Sequence, residues 1–370
     1  MASTFKDIKP SDRVSTRTLL HEAVPLTGTI VSGTYGTFPN GDNIKNFSHG
    51  MFQSVYDYPY LSSSANHIFD ITAGYTSDST LFNTTFSQNA KKKNIYNELA
   101  QVCVGYDITG SVLKFDEDGD ILAGGRKIKE SYFLNFTRLL AKDEIKKGTV
   151  SLVMGVNESH AAPMVKRVTI TDAGGVNDYR VNSPVGEYGV LYATGSTGDP
   201  VDNTVVQYNS THDAAAVGLV FYQAGIMVLS ASLFKDKGDG GVLTATNGTS
   251  VMNTNGDSIS GSLTGSTIQL NADNLRHRIH NIQFNNTVEL NSTIYFCRAN
   301  HNEFNYSSNP TYLSSSQIRV KQVSSDEPIS YITSVGLYSE NNELLAVGKL
   351  SEPLKKTPAN EFTIRTRLDY

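Results

Sequence analysis

The chain has 370 residues, enough to bury a substantial core in two or three structural units. Only 18% of them are charged, below the roughly 25% of ordinary soluble domains, and Asn, Ser, Thr and Gly fill the difference. The net charge of −5 is spread without a basic block, which argues against sequence-independent nucleic-acid binding, since that needs clustered Lys and Arg.

With 19 Tyr, 16 Phe and many β-branched residues, the composition favours strands over helices. The first residues carry no apolar stretch of the kind a secretory signal needs. Residues 1–45 read as an arm rich in Thr, Ser, Gly and Pro, with one short strand expected over Gly28–Tyr35. Tyr56, Tyr58 and Tyr60 then fall at alternate positions, the spacing of one strand face, with Pro59 demoting that strand to an edge. Such a ladder serves as a packed edge, a glycan platform or an interface anchor.

The clearest helix is expected from Gln88 to Val104, where Ile95, Leu99, Val102 and Cys103 share a face. Lys91, Lys92 and Lys93 read as its solvated start. Asp116, Asp118 and Asp120 have the spacing of a calcium loop. However, Ile121 stands where the loop needs glycine and no glutamate closes twelve residues, so Asp118-Gly119 is expected to be a hairpin turn. Further strands are expected at Phe133–Phe136, Thr149–Val156, Val165–Thr171 and Gly186–Thr194, with a short helix over Ala141–Lys147.

The longest apolar stretch, Ala214–Phe234, has the length of a membrane span. Gln223-Ala224-Gly225 divides it into β-branched and aromatic runs, Val217–Tyr222 and Ile226–Leu233, that suit a buried hairpin and no membrane insertion. Residues 235–270 form a low-complexity excursion too poor in apolar side chains to order itself cheaply. A second helix is expected from Asn271 to Phe284, presenting Leu275, Ile279 and Ile282 on one face, with Asn271 or Asp273 as cap. It also carries His277 and His280, read as polar-face residues because no third metal ligand is nearby.

The C-terminal stretch is the most regular. Tyr331–Tyr338 and Leu344–Leu350 flank the polar turn Ser339–Glu343, a hairpin pattern. Phe362, Ile364, Thr366, Leu368 and Tyr370 then alternate with Thr363, Arg365, Arg367 and Asp369, so the chain is patterned as a strand to its last residue. The two cysteines, Cys103 and Cys297, read as buried free thiols, with a disulfide between them left open. No phosphate-binding loop, dinucleotide glycine motif, zinc-protease helix or nucleophile elbow occurs, and the carboxylates are scattered. These patterns lead to an expectation of no enzymatic activity, no catalytic residue, no cofactor and no metal.

Ser334–Tyr338, the turn and Glu343–Leu350 together resemble a hairpin of tailed-bacteriophage tail and baseplate proteins. The segments Thr18–Tyr35 and Asn46–Ala73, with the run from Phe304, resemble virion structural proteins of phages of marine bacteria. The resemblance implies a virion location after assembly in the host cytoplasm, repeated copies and a structural role among other virion proteins. The expected fold is mainly β, with β-sandwich-like sheets and two or three short helices, or α+β as the alternative. Four regions are expected: an arm (1–45), a strand-rich core with one helix (46–234), the excursion (235–270) and a C-terminal helix plus β-hairpin region (271–370). The arm, the excursion and the terminal strand are expected to rest on neighbouring subunits of a baseplate or adjoining tail component, with homo-oligomerisation. A fibre or fibre adaptor binding host surface glycan is the alternative, and a neck or collar component a second.

Overall fold

The computed structural model describes residues 5–20, 41–121, 126–140, 143–195, 215–244, 248–306, 313–314, 317–318, 325 and 327–369. The chain is mostly β, 41% strand and 16% helix, as its aromatic and β-branched content dictates. The strand expected at Gly28–Tyr35 lies outside the described residues. Along the chain come β1 (Arg13–Leu20), β2 (Ile44–Asn46), β3 (Gln53–Tyr56), β4 (His67–Tyr75), α1 (Asn89–Cys103), β5 (Glu130–Asn135) and α2 (Thr137–Leu140). Then follow β6 (Asp143–Ile145), β7 (Ser151–Gly155), β8 (Arg167–Thr171), β9 (Arg180–Ser183), β10 (Gly186–Gly195), β11 (Ala215–Phe221) and β12 (Ile226–Ser230). The remainder comprises α3 (Ile259–Gly265), α4 (Ile268–Arg276), β13 (Ile279–Gln283), β14 (Asn286–Ala299), β15 (Leu313–Ser314), β16 (Gln317–Ile318), β17 (Ser330–Tyr338), β18 (Leu344–Lys356) and β19 (Phe362–Asp369).

These elements form two compact units that do not follow the boundaries read from the sequence: Leu20–Val288, and Met1–Leu19 together with Glu289–Tyr370. The larger unit is built on one sheet in the order β13-β7-β8-β10-β11-β12-β5-β4-β3-β2, with β9 beside β10. Nine strand spacings separate its ends, so a flat sheet would hold them about 43 Å apart. Instead the ends meet. Gln53 of β3 donates to Asp273 (3.0 Å) and accepts from Arg276 Nε (3.2 Å), both on the helix leading into β13. Ile44 and Val55 also share a continuous apolar cluster with Ile279 and Ile282. The sheet is therefore curled around this core.

The middle strands are buried on both faces, which explains the two near-continuous apolar runs, Val217–Tyr222 and Ile226–Leu233. Met227 and Leu229 of β12 enter the inner cluster, while Ile226 and Val228 enter a second one with Ile95, Tyr96, Ala100 and Cys103 of α1. β11 and β12 pair as the expected hairpin, Gly218 opposite Leu229 and Phe221 opposite Ile226. No helix among the described residues is long and apolar enough to cross a membrane. Helix α1 lies so close to β4 that a Cβ on Gly74 would sit 2.6 Å from the Lys92 carbonyl oxygen.

Several local expectations are corrected. Lys92 is fully buried rather than solvated. Its ammonium donates to the Leu263 and Ser266 carbonyls at the end of α3, where a cation complements unpaired acceptors. The helix expected over Ala141–Lys147 is strand β6 from Asp143, claimed by pairing with Asn286–Val288. The helix expected from Asn271 to Phe284 starts at Ile268 under a Thr267 cap and ends at Arg276; Ile279 and Ile282 lie on β13. A register irregularity between Ile279 and Asn281 places these residues, three apart, in one core, which imitates a helical period. The segment 235–270 is no excursion: Val242, Leu243, Met252, Ile259 and Leu263 belong to the inner cluster.

Candidate functional site

The smaller unit is built differently. β1 and β19 flank β14, so among the described residues each end strand of this sheet has one edge without a partner strand. β19 pairs with β14 along its length, Phe362 opposite Ala299 through Asp369 opposite Ser292. The alternation read from the sequence holds: Phe362, Ile364, Thr366 and Leu368 are half-buried, and Thr363, Arg365, Arg367 and Asp369 are exposed. Ser292 donates to Asp369 at 2.5 Å and Arg367 Nε donates to it at 2.6 Å, holding the end of the strand and keeping the Asp369 carboxyl below its usual range. The N-terminal segment joins the same unit, with Arg298 Nε 2.8 Å from Asp12 and the rings of Phe5 and Tyr338 4.7 Å apart. The expectation that both ends rest on other chains is therefore corrected, because each terminal strand pairs within this one.

The described residues of this unit form no apolar core. Among its described residues only Ala299 and Leu337 are buried hydrophobics, and neither belongs to a core cluster. Polar side chains occupy the interior instead. Fully buried Lys356 donates to His301 O (3.2 Å), Asn305 Oδ1 (2.8 Å) and Thr357 O (2.9 Å). The β17–β18 ribbon matches the expected hairpin, with Asn342 at φ +62 in its turn. Gly336 pairs with Val347 and Leu337 with Ala346, so Leu337 is buried while Val347 stays 58% exposed. Tyr331, Tyr338, Leu344 and Leu345 are exposed with it, Leu345 at 66%. Scattered exposed apolar residues need no explanation, but Leu344, Leu345 and Val347 stand exposed within four positions of one strand.

The tyrosine ladder is not a ladder. β3 ends at Tyr56, and Tyr58 and Tyr60 sit in a loop closed by Asp57, whose carboxylate accepts from Tyr58 N (2.8 Å) and Asn66 N (2.6 Å). Tyr56 and Tyr60 still pair at 6.3 Å, and Tyr56 meets His67 edge-on at 5.6 Å. His67 Nε2 lies 2.8 Å from Asp70, which also accepts from Ser54 at 2.5 Å. Both groups address the carboxylate rather than each other, so they do not make a nucleophile–base pair. Tyr58 and Leu61 are exposed beside them.

Asp116, Asp118 and Asp120 bring one carboxylate oxygen each within 4.8 Å of the others, the arrangement that could hold a cation. Ile121 takes the positive φ (59°) that glycine would supply in a calcium loop. Lys127 is bridged to Asp116 across the turn and its ammonium pairs with that carboxylate. Burial, reinforced by Asp118, pushes the Asp116 carboxyl up, and Lys127 opposes this. Both cysteines are free thiols, raised by burial, Cys103 to about 12. His277 and His280 do not converge: His277 stacks on His160 at 4.3 Å, while His280 Nε2 lies 3.2 Å from Arg167. The His277–His160 stack joins residues 117 positions apart, a contact no local spacing announces.

No protein-family model matches the chain, and neither a curated protein nor a solved structure shows significant similarity to it.

Proposed function

We propose that the chain is a non-enzymatic structural subunit of a tailed-phage virion, a baseplate or adjoining tail component that works through contacts between subunits. The observation that carries the assembly role is the smaller unit, whose described residues form no apolar core, leave the ribbon exposed and leave one edge of β1 and of β19 without a partner strand. Small units with little buried apolar surface gain stability by covering more of it on a partner. The virion location rests on the resemblance of the C-terminal hairpin and the segments 18–35 and 46–73 to phage structural proteins. Open edges suit strand addition, where backbone bonds supply affinity and alternate side chains set register. Other virion proteins and further copies of this chain are the partners of this reading.

The test spares the paired strands. Phage carrying Leu345→Glu with Val347→Lys should produce soluble protein with unchanged thermal unfolding that is missing from purified particles. Normal incorporation of this folded variant would overturn the proposal. A second reading, a fibre or fibre adaptor binding host glycan, draws on the exposed Tyr58 and Leu61 beside the Tyr56–Tyr60 pair. Binding of the isolated protein to host cells, lost in Tyr58→Ala, would favour it.

A further inference from the structure

Arg278 is the bulkiest fully buried side chain among the described residues. It sits two residues past α4, its backbone fixed by bonds from Arg278 N to Leu275 O (2.9 Å) and from Gly155 N to Arg278 O (2.7 Å). Nη1 donates to the carbonyls of Gly155 (2.9 Å) and Asn157 (3.0 Å), and Nη2 donates to Val251 O (2.6 Å). All three acceptors are neutral, and no carboxylate of the described residues pairs with the guanidinium. Burial lowers it only to about 10, so it is cationic at neutral pH. Its Nε–H has no protein acceptor.

A second orphan lies in the same neighbourhood. Tyr132 of β5 is fully buried, and its hydroxyl also lacks a protein partner. Its ring packs edge-on against Phe234 with centroids 6.3 Å apart, and the guanidinium carbon lies 5.9 Å from the centre of that same ring. Interior polar groups are almost always hydrogen-bonded, and a buried guanidinium without counter-charge is strongly disfavoured. The Arg278 Nε–H can only donate and the Tyr132 hydroxyl can donate, so one accepting group can satisfy both. Only a negative charge would also neutralise Arg278. Two donors beside an aromatic ring suit a monatomic ion better than a multi-oxygen one, which would bring acceptors with nothing to meet them.

We propose that Arg278 and Tyr132 hold a buried monovalent anion beside Phe234, with chloride as its ordinary occupant. Because the ion binds only the folded chain, it stabilises by mass action. In thermal unfolding of the full chain at constant ionic strength, replacing chloride by gluconate should lower the midpoint by roughly 2–4 °C. Tyr132→Phe should at least halve that shift, and Arg278→Met should abolish it. Should Arg278→Met fail to fold, bromide-soaked crystals of the unaltered protein decide, with an anomalous peak expected between Arg278 Nε and the Tyr132 hydroxyl. Equal midpoints in the two salts, an undiminished shift in Tyr132→Phe, or bromide found only at the surface would each overturn the proposal and leave water as the acceptor.

Discussion

Asp172 offers a quantitative test of how the larger unit is held together. Its carboxylate is fully buried at the end of β8, where it accepts from Gly148 N (2.6 Å), Val150 N (3.0 Å) and the Tyr222 hydroxyl (3.1 Å). It thereby ties the turn before β7 to the end of β11. Burial outweighs these bonds and pushes the carboxyl up to about 6 from the ordinary 3.8. The folded chain therefore holds this proton more tightly than the unfolded chain does. The resulting stability is complete below the unfolded value and is lost as pH rises through the folded one. At about 1.4 kcal/mol per tenfold change, the loss between pH 3.8 and 7 is about 3 kcal/mol. Asp172→Asn keeps the shape and removes the titration. Urea unfolding of both proteins across this range isolates the effect, because other ionisable groups cancel in the difference. The stability advantage of the unaltered protein over Asp172→Asn should shrink by about 2–3 kcal/mol from pH 4 to pH 7. A difference constant to within roughly 0.5 kcal/mol would refute the argument, because a group that titrates equally in both states contributes no slope.

Two further outcomes follow from the packing. Gly74→Ala should destabilise by about 1–3 kcal/mol in urea, since its methyl meets the backbone of α1 rather than a side chain able to turn aside. Lys127→Met should destabilise by about 3–5 kcal/mol, because it strands the buried Asp116 carboxylate. In the same titrations, millimolar calcium should leave the unaltered protein unchanged and restore part of the loss in Lys127→Met, where three aspartates face one another without an internal cation.

The elements legible in the sequence are those whose period is local and unbroken. β17, β18 and β19 announce themselves by alternation and a polar turn, and α1 by its apolar stripe. β11 and β12 were legible through the Gln-Ala-Gly interruption between two β-branched runs. Elsewhere tertiary demands override local pattern. The β13 irregularity spaces Ile279 and Ile282 like helix neighbours, and only pairing with β7 reveals the strand. Lys92 looks solvated until α3, about 170 residues later, supplies carbonyls for its ammonium. The 235–270 segment orders on a handful of separated apolar anchors, with polar turns such as Asn253 to Asp257 (2.7 Å) fixing the chain between them. The candidate assembly surface was half visible. The hairpin was plain, but the missing core beneath it is a property of burial, and the pairing of β1 with β14 joins partners with no shared motif.

That pairing also sets a schedule for biosynthesis. β1 leaves the ribosome before its partner β14, which follows more than 260 residues later, a lag of roughly 15–50 s at ordinary elongation rates. Residues 20–288 can collapse during that interval, while an eight-residue strand waits unpaired. On crowded polysomes such a strand is open to capture by a neighbouring nascent copy, so yield should depend on translation speed and on chaperones that shield the emerging N-terminal segment.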